Sequence, residues 1–257
     1  MYRGDYMPGY VSHTIMANDV YKRINKDINK DYILTFSLGG DLSKYAKCRY
    51  ETHHKYLNEF IYNMADYIKD NNLVKDRDCL GVLYAHVCHY IMDDTIHPLI
   101  RKIDKTCIKD KHNHTMIELY YDYYLVKKYY NIRLDKYNNK KVLNAKLSQK
   151  IKKMIDYTYY KTYNTKHVSR YYAINLWLYR KIKYLYYLFN FNFLKKISGF
   201  DKFKNVNKDI DLVNTSHAVT YKDYLGNESK SDLITLYREC IDRAIDYISK
   251  LDKYLDE

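Results

Sequence analysis

Apolar residues recur along this chain at intervals of three and four, the spacing of one face of an α-helix. After His13, the residues Ile15, Met16, Val20, Tyr21 and Ile24 fall on one stripe and predict a first helix. Leu57, Phe60, Ile61 and Met64 predict a second within 50–68, with Glu51, Thr52, His53 and His54 in its N-terminal turn. A central helix is expected from roughly Asp78 to Ile96, stopping before Pro98 because proline disfavours helix in the residue ahead of it. His112 to Tyr130 predicts another, with Ile117, Tyr121, Tyr124 and Leu125 inward. Later helices are expected within 142–160, 165–190 and 230–255. The last starts at Ser229 or Ser231 and carries the stripe Leu233, Leu236, Ile241, Ala244, Ile245 and Ile248. Between the first two helices, Phe36 to Asp41 reads as a loop in which Gly39 and Gly40 mark close backbone approach or a tight turn that presents Asp41. Weak signals over 196–227 read as loop. No Gly/Ser/Pro linker and no internal repeat divides the chain, so 1–257 is expected to be a single all-α domain, a helical bundle.

Composition supports this and adds little about function. Seven Gly and two Pro in 257 residues leave few breakers, which favours long helices. The 34 Tyr, with many Lys and Asn, reflect the codon bias of an AT-rich genome, so tyrosine count by itself points to no activity. A net charge of +13 suggests an anionic partner, a lipid surface or nucleic acid, set against a solvated Lys-rich surface from the same bias. Five cysteines, odd in number and without a CxxC pair, fit a reducing compartment rather than a disulfide framework. The N-terminus lacks an apolar signal core, and Arg180, Lys181 and Lys183 interrupt the most apolar stretch, 173–193. A cytoplasmic protein with no transmembrane segment is expected.

The chemistry lies between His89 and Glu118. His89, Asp93 and His97 stand four apart, one above the other on a helix face, and His114 and Glu118 repeat the spacing on the next helix. Inward-facing His and Asp are costly unless a metal or a full set of hydrogen bonds compensates them. Two such ladders facing each other build a site for more than one zinc ion. The plain alternative is a core histidine satisfied by an acid. Asp94, rotated about 100° from Asp93, reads as a solvent-facing or supporting group, and His86 as a supporting or core histidine. His112 reads as a cap or surface residue, and His167 and His217, lacking an acid at ligand spacing, as surface or structural. His53, four before Leu57, is favoured over His54, which stays open as the ligand. Spacing alone singles out neither His13 nor Asp41.

Taken in order, His13, the Gly-x-Asp loop at Asp41, Thr52-His53-His54-Lys55, His89-x-x-x-Asp93 with His97-Pro98, and His114-x-x-x-Glu118 resemble the zinc-dependent phospholipase C family. The segment Met7 to His13 resembles the start of its signal-less branch, and Asn214 to Lys222 with Ser231 to Tyr237 resemble its closing loop and helix. The resemblance implies an all-α phosphodiesterase related by fold to single-strand-specific zinc nucleases, binding two or three zinc ions. It implies one zinc on Asp41, His53 or His54, His89 and Asp93, and a second on His97, His114 and Glu118, with Asp93 bridging. The residue matching His13 serves a third site completed in the family by an N-terminal tryptophan. Here the chain begins Met1-Tyr2 and its single tryptophan is Trp177, so that terminal ligand is not expected. Asp41 is implied as a ligand and as the base for a metal-activated water attacking phosphorus. The expected substrate is a phospholipid or another phosphodiester, with an anionic membrane surface as a possible partner and no obligate protein partner. A nuclease acting on single strands keeps the chemistry and changes the substrate. A non-catalytic, zinc-stabilised helical binding protein is the third alternative. In it Leu176 to Phe189 would form an interfacial helix, where the plainer reading is a core helix with snorkelling Lys and Arg.

Overall fold

The computed structural model describes residues 9–48, 52, 56–107, 113–132, 134–188 and 218–257. In chain order these form α1 (Tyr10–Ile24), α2 (Lys30–Phe36), a 3-10 helix (Gly39–Ser43), α3 (Leu57–Asp70), α4 (Arg77–Cys107) and α5 (Asn113–Tyr130). A second 3-10 turn (Leu134–Lys136) leads to α6 (Asn139–Val142), α7 (Gln149–Tyr163) and α8 (Ser169–Leu188). The hairpin β1 (Val219–Lys222) and β2 (Glu228–Ser231) follows, then α9 (Leu233–Asp256). The protein is all-α apart from that one small antiparallel sheet among the described residues.

The 31-residue α4 is the spine of the bundle, packed on α1, α2, α3, α5 and α9. Its inward face buries Val82, Leu83, Ala85, Val87, Met92 and Ile96. Contrary to the expected stop, α4 runs on through Pro98. Proline inside a helix forfeits a hydrogen bond and costs about 3 kcal/mol. Beyond it, however, Pro98, Leu99, Ile100 and Ile103 continue the buried face, with β1 and α9 packed on the helix. Burying three large aliphatic side chains, at about 1.5–3 kcal/mol each, outweighs the loss.

Other boundaries moved for local reasons. Tyr56 adopts a left-handed conformation, φ 58°, so α3 starts at Leu57 and not near residue 50. His53 and His54 themselves lie outside the described residues. The unanticipated α2 is capped by Asn29, whose side chain accepts from Asp31 N at 3.1 Å, and it buries Tyr32, Ile33 and Phe36. Helix α7 starts at Gln149, where the Ser148 side chain accepts from Ile151 N at 3.4 Å, and Arg180 of α8 donates to the carbonyls of Leu143 and Ala145 before it at 2.6 Å each. Part of the expected loop is the β1–β2 hairpin, pairing Val219 with Ser231 and Lys222 with Glu228; 189–217 falls outside the described residues. Helix α9 is capped by Asp232, not by a serine; its carboxylate accepts from Ile234 N and Thr235 N, both at 2.9 Å.

On α8, Leu176 and Tyr179 are buried, while Trp177 is 59% exposed. One side of this helix is thus core, as the plainer reading has it. No helix among the described residues is long and apolar enough to cross a membrane.

Candidate metal centre

Four-residue spacing on α4 stacks His89, Asp93 and His97 on one face, and that face points into the bundle between α1 and α5. His89 is fully buried and Asp93 is 3% exposed. Asp93 stands at the centre of the arrangement. Its Oδ2 lies 3.3 Å from His89 Nε2, and its Oδ1 lies 3.3 Å from His13 Nε2 and 3.6 Å from His97 Nε2. Glu118 of α5 closes the far side, with Oε1 3.2 Å from His97 Nε2. His13, His89 and Asp93 each offer a donor atom within 4.8 Å of the others, the tightest potential metal-binding group among the described residues.

Packing aims these groups. The carbonyl of Ser37 can only accept, so His89 Nδ1, 3.2 Å away, carries the proton. A backbone carbonyl behind a ring nitrogen is the support that fixes a metal-ligating imidazole. It leaves Nε2 facing a carboxylate oxygen, where a proton or a metal ion between them would be favourable. Gly39, φ 41°, makes the fit possible: a Cβ there would lie 2.3 Å from His89 Cγ. Gly39 thus marks close approach, of backbone to an imidazole.

His13 reaches the group because α1 is held by its first turn. Gly9 supplies no side-chain cap; instead the Asp122 carboxylate of α5 accepts from Ser12 N at 2.8 Å and Val11 N at 3.3 Å. An acid at the positive end of the helix is electrostatically favoured. Burial nevertheless pushes Asp122 up to about 7, against the pull of those N–H groups and His13. For His13, burial opposes protonation, but the hydrogen bond to Asp93 and the charges of Asp93, Asp41 and Asp122 outweigh it and raise its pKa. His13 Nδ1 is buried without a hydrogen-bond partner among the described residues.

No family model, curated protein or solved structure matches this chain.

The donor set itself fits a metal. Charge-assisted hydrogen bonds close to about 2.7–2.9 Å. Ligand atoms sharing one tetrahedral zinc at about 2.0–2.1 Å stand about 3.4 Å apart. Spacings of 3.3, 3.3, 3.6 and 3.2 Å around Asp93 and Glu118 are compatible with the second geometry. Three imidazoles and two largely buried carboxylates also leave negative charge for cations to balance.

The other candidates divide. Asp41, in the 3-10 helix, is near enough for its charge to act on His13 and Tyr179, but it stands outside the tight group. His114 lies in the first turn of α5, one turn before Glu118, and its side chain is outside the described set, as is all of His112 and His217. Asp94 turns away to Arg243 Nη2 at 2.8 Å, and His167 is exposed. His13, which the resemblance assigns to a third site, lies against the same Asp93 carboxylate as His89. Asp122 and Tyr179 went unnoticed in the sequence. Tyr179 is buried beside Asp41 and Glu118, its phenol held neutral by burial and by those charges. One tyrosine among 34 carries no local signal.

His86 is a core histidine that supports the site. Its Nδ1 donates to the Val82 carbonyl at 2.9 Å, and its Nε2 lies 2.9 Å from the Tyr172 hydroxyl. The same hydroxyl is 3.1 Å from the Gly39 carbonyl, which ties the core to the glycine turn. Burial pushes His86 down to about 4 from 6.5, with the Val82 carbonyl opposing. The stability gained by keeping it neutral is whole above pH 6.5 and is lost as pH falls towards 4. That loss is about 3 kcal/mol. Urea unfolding of the wild type and His86→Gln between pH 7 and 4 measures it: the stability difference should shrink by that amount, and a flat difference would refute it.

Proposed function

We propose that this chain is a zinc-dependent hydrolase of phosphoric diesters, phospholipase C-like, acting on a phospholipid or a related phosphodiester. The observation that carries this reading is Asp93 ringed by the Nε2 atoms of His13, His89 and His97 at ligand-to-ligand spacing, with Glu118 beyond. Asp93, presenting one oxygen to His89 and the other to His13 and His97, would be a ligand to the metal together with these histidines. Bound zinc would supply a water acidic near neutral pH and positive charge for phosphate oxygens. The chain's own residues do the rest. His89 and Asp93 exclude solvent from the inner side. His97, whose side chain is 21% exposed, marks the side from which a substrate approaches. Asp41, near His13, is the candidate to hold a proton taken from water. The likeness in motif order to the zinc-dependent phospholipase C family supports the same reaction class.

Metal analysis of the purified wild type beside His89→Ala and Glu118→Ala, with a bis(p-nitrophenyl) phosphate assay, tests this. The expected result is two or more zinc per chain, reduced in both variants together with hydrolysis. Unchanged metal content in both would overturn the ligand assignment. Stoichiometric zinc without hydrolysis of any ester would favour a zinc-stabilised binding protein. Cleavage of single-stranded RNA with steep salt dependence, and none of choline phospholipid, would favour a nuclease.

A further inference from the structure

Helix α8 has two unlike sides. Tyr172, Asn175, Leu176 and Tyr179 are buried, and the helix packs on the 3-10 helix at Gly39–Ser43, on α6 and on α7. Asn175 Nδ2 donates to the Leu42 carbonyl at 2.9 Å, which fixes this side to the turn that carries Asp41. The opposite side presents Arg170, Ala173, Ile174 and Trp177 at helical spacing, all of them exposed. Ile174 is 49% exposed and Trp177 is 59% exposed. Scattered apolar residues are ordinary on a protein surface. Here the chain's single tryptophan and an isoleucine one turn away share one outer helix face.

The charge around this face has one sign. No Asp or Glu occurs between Asp156 and Asp201, a stretch that holds eight Lys and Arg. Asp156 itself is engaged at the start of α8, where its carboxylate accepts from Ser169 N and Ser169 Oγ, both at 2.8 Å. Of the three elements packed on α8, α6 carries no acid and α7 only Asp156. The 3-10 helix carries only Asp41, whose charge acts on the buried Tyr179 of the inner side. Arg170, by contrast, donates to a neutral partner, the Tyr171 hydroxyl, at 2.7 Å. Lys161 near the end of α7 and Lys166 in the turn before α8 are exposed as well.

This combination fits a lipid surface. Tryptophan settles at the level of the headgroups, where its ring is covered and its N–H stays wet. Basic residues beside it are drawn to anionic headgroups. A nucleic-acid strand asks instead for a groove that tracks its backbone and for rings on which successive bases stack. The outer side of a helix is convex, and Ala173 and Ile174 offer no ring. We propose that the outer face of α8, centred on Ile174 and Trp177 and flanked by Arg170, docks this protein on a bilayer surface that carries anionic headgroups. The docking does not rest on the hydrolase reading; a phospholipid substrate would be met at the same surface.

Because Trp177 is the only tryptophan, the protein's indole fluorescence reports on this face alone. The full chain, kept in chelator so that lipid is not consumed, is mixed with vesicles of phosphatidylcholine or of phosphatidylcholine with phosphatidylserine. Without lipid, acrylamide should quench Trp177. Mixed vesicles should shift its emission to the blue and protect it from acrylamide. Phosphatidylcholine alone should bind about tenfold more weakly. Cosedimentation with mixed vesicles should weaken about tenfold in Trp177→Ala, weaken also in Arg170→Gln, and be unchanged in His89→Ala. Trp177 and Arg170 are exposed, so both variants should keep the wild-type helical circular dichroism. An indole already shielded without lipid would mean that another part of the chain or a second copy covers the face, and would overturn the proposal. Vesicle binding unaltered in both Trp177→Ala and Arg170→Gln would overturn it, as would its loss in His89→Ala, which would put the lipid on the metal ligands. A single-stranded oligonucleotide that quenches Trp177 where vesicles leave it unchanged would make the face a nucleic-acid surface instead. Since binding is read without metal, the metal content and hydrolysis of the wild type remain a separate result.

Discussion

Asp93→Asn is expected to abolish the stabilisation of this protein by zinc. An ion present at about a thousand times its Kd stabilises the folded state by about 4 kcal/mol. For a chain of this size that corresponds to roughly 8–16 °C in Tm. Asp93 lies within 3.6 Å of all three imidazole Nε2 atoms, and both of its oxygens are engaged. Asn keeps the shape and removes the charge, so the histidines lose the carboxylate that gathers them. Scanning calorimetry with zinc and then with chelator should show the wild-type midpoint falling by roughly 10 °C on chelation. The variant should melt at the same temperature in both. A wild type indifferent to chelation would sink the metal centre, whatever the variant does.

Gly39→Ala is expected to damage fold and site together. A left-handed backbone costs a residue with a Cβ about 1–2 kcal/mol, and overpacking a core costs about 1–3 kcal/mol more. Both apply here, because the added carbon would meet His89 Cγ at 2.3 Å, Cδ2 at 2.4 Å and Cβ at 2.6 Å. His89 is fully buried, so its ring has little room to retreat. Gly226 makes the control. Its φ is 89° and an added Cβ meets nothing within 4 Å, so Gly226→Ala bears only the backbone term. Urea midpoints should rank wild type, then Gly226→Ala, then Gly39→Ala by a further 1–3 kcal/mol or so. Zinc content should fall in Gly39→Ala alone. Equal destabilisation of the two variants would show that the contact with His89 is not what requires glycine.

The ladder on α4 was legible because its geometry is local: four residues make one turn, whatever the rest of the chain does. Glu118 was legible by the same spacing, and the two glycines by their lack of a Cβ. Position along the chain said nothing about where His13 would end up. Its place depends on Asp122, more than a hundred residues away, accepting from the first turn of α1. The end of α4 was misjudged because proline's local preference was weighed without the aliphatic face buried beyond it. The hairpin after residue 218 is only four residues on each strand, too short for a pattern to stand out. Tyr179 was hidden in a composition where tyrosine is ordinary, and only tertiary packing sets it apart from the others.

The continuity of α4 through Pro98 has a consequence for the spacing of charged groups along it. Had the helix ended at Ile96, Arg101 and Lys102 would hang on a loop, and their distance from His97 would vary. Carried on one rod, the imidazole ladder and the basic pair keep a set interval, as the marks on a ruler do. A substitution that broke the helix at Pro98 would release that interval and leave the ladder itself in place.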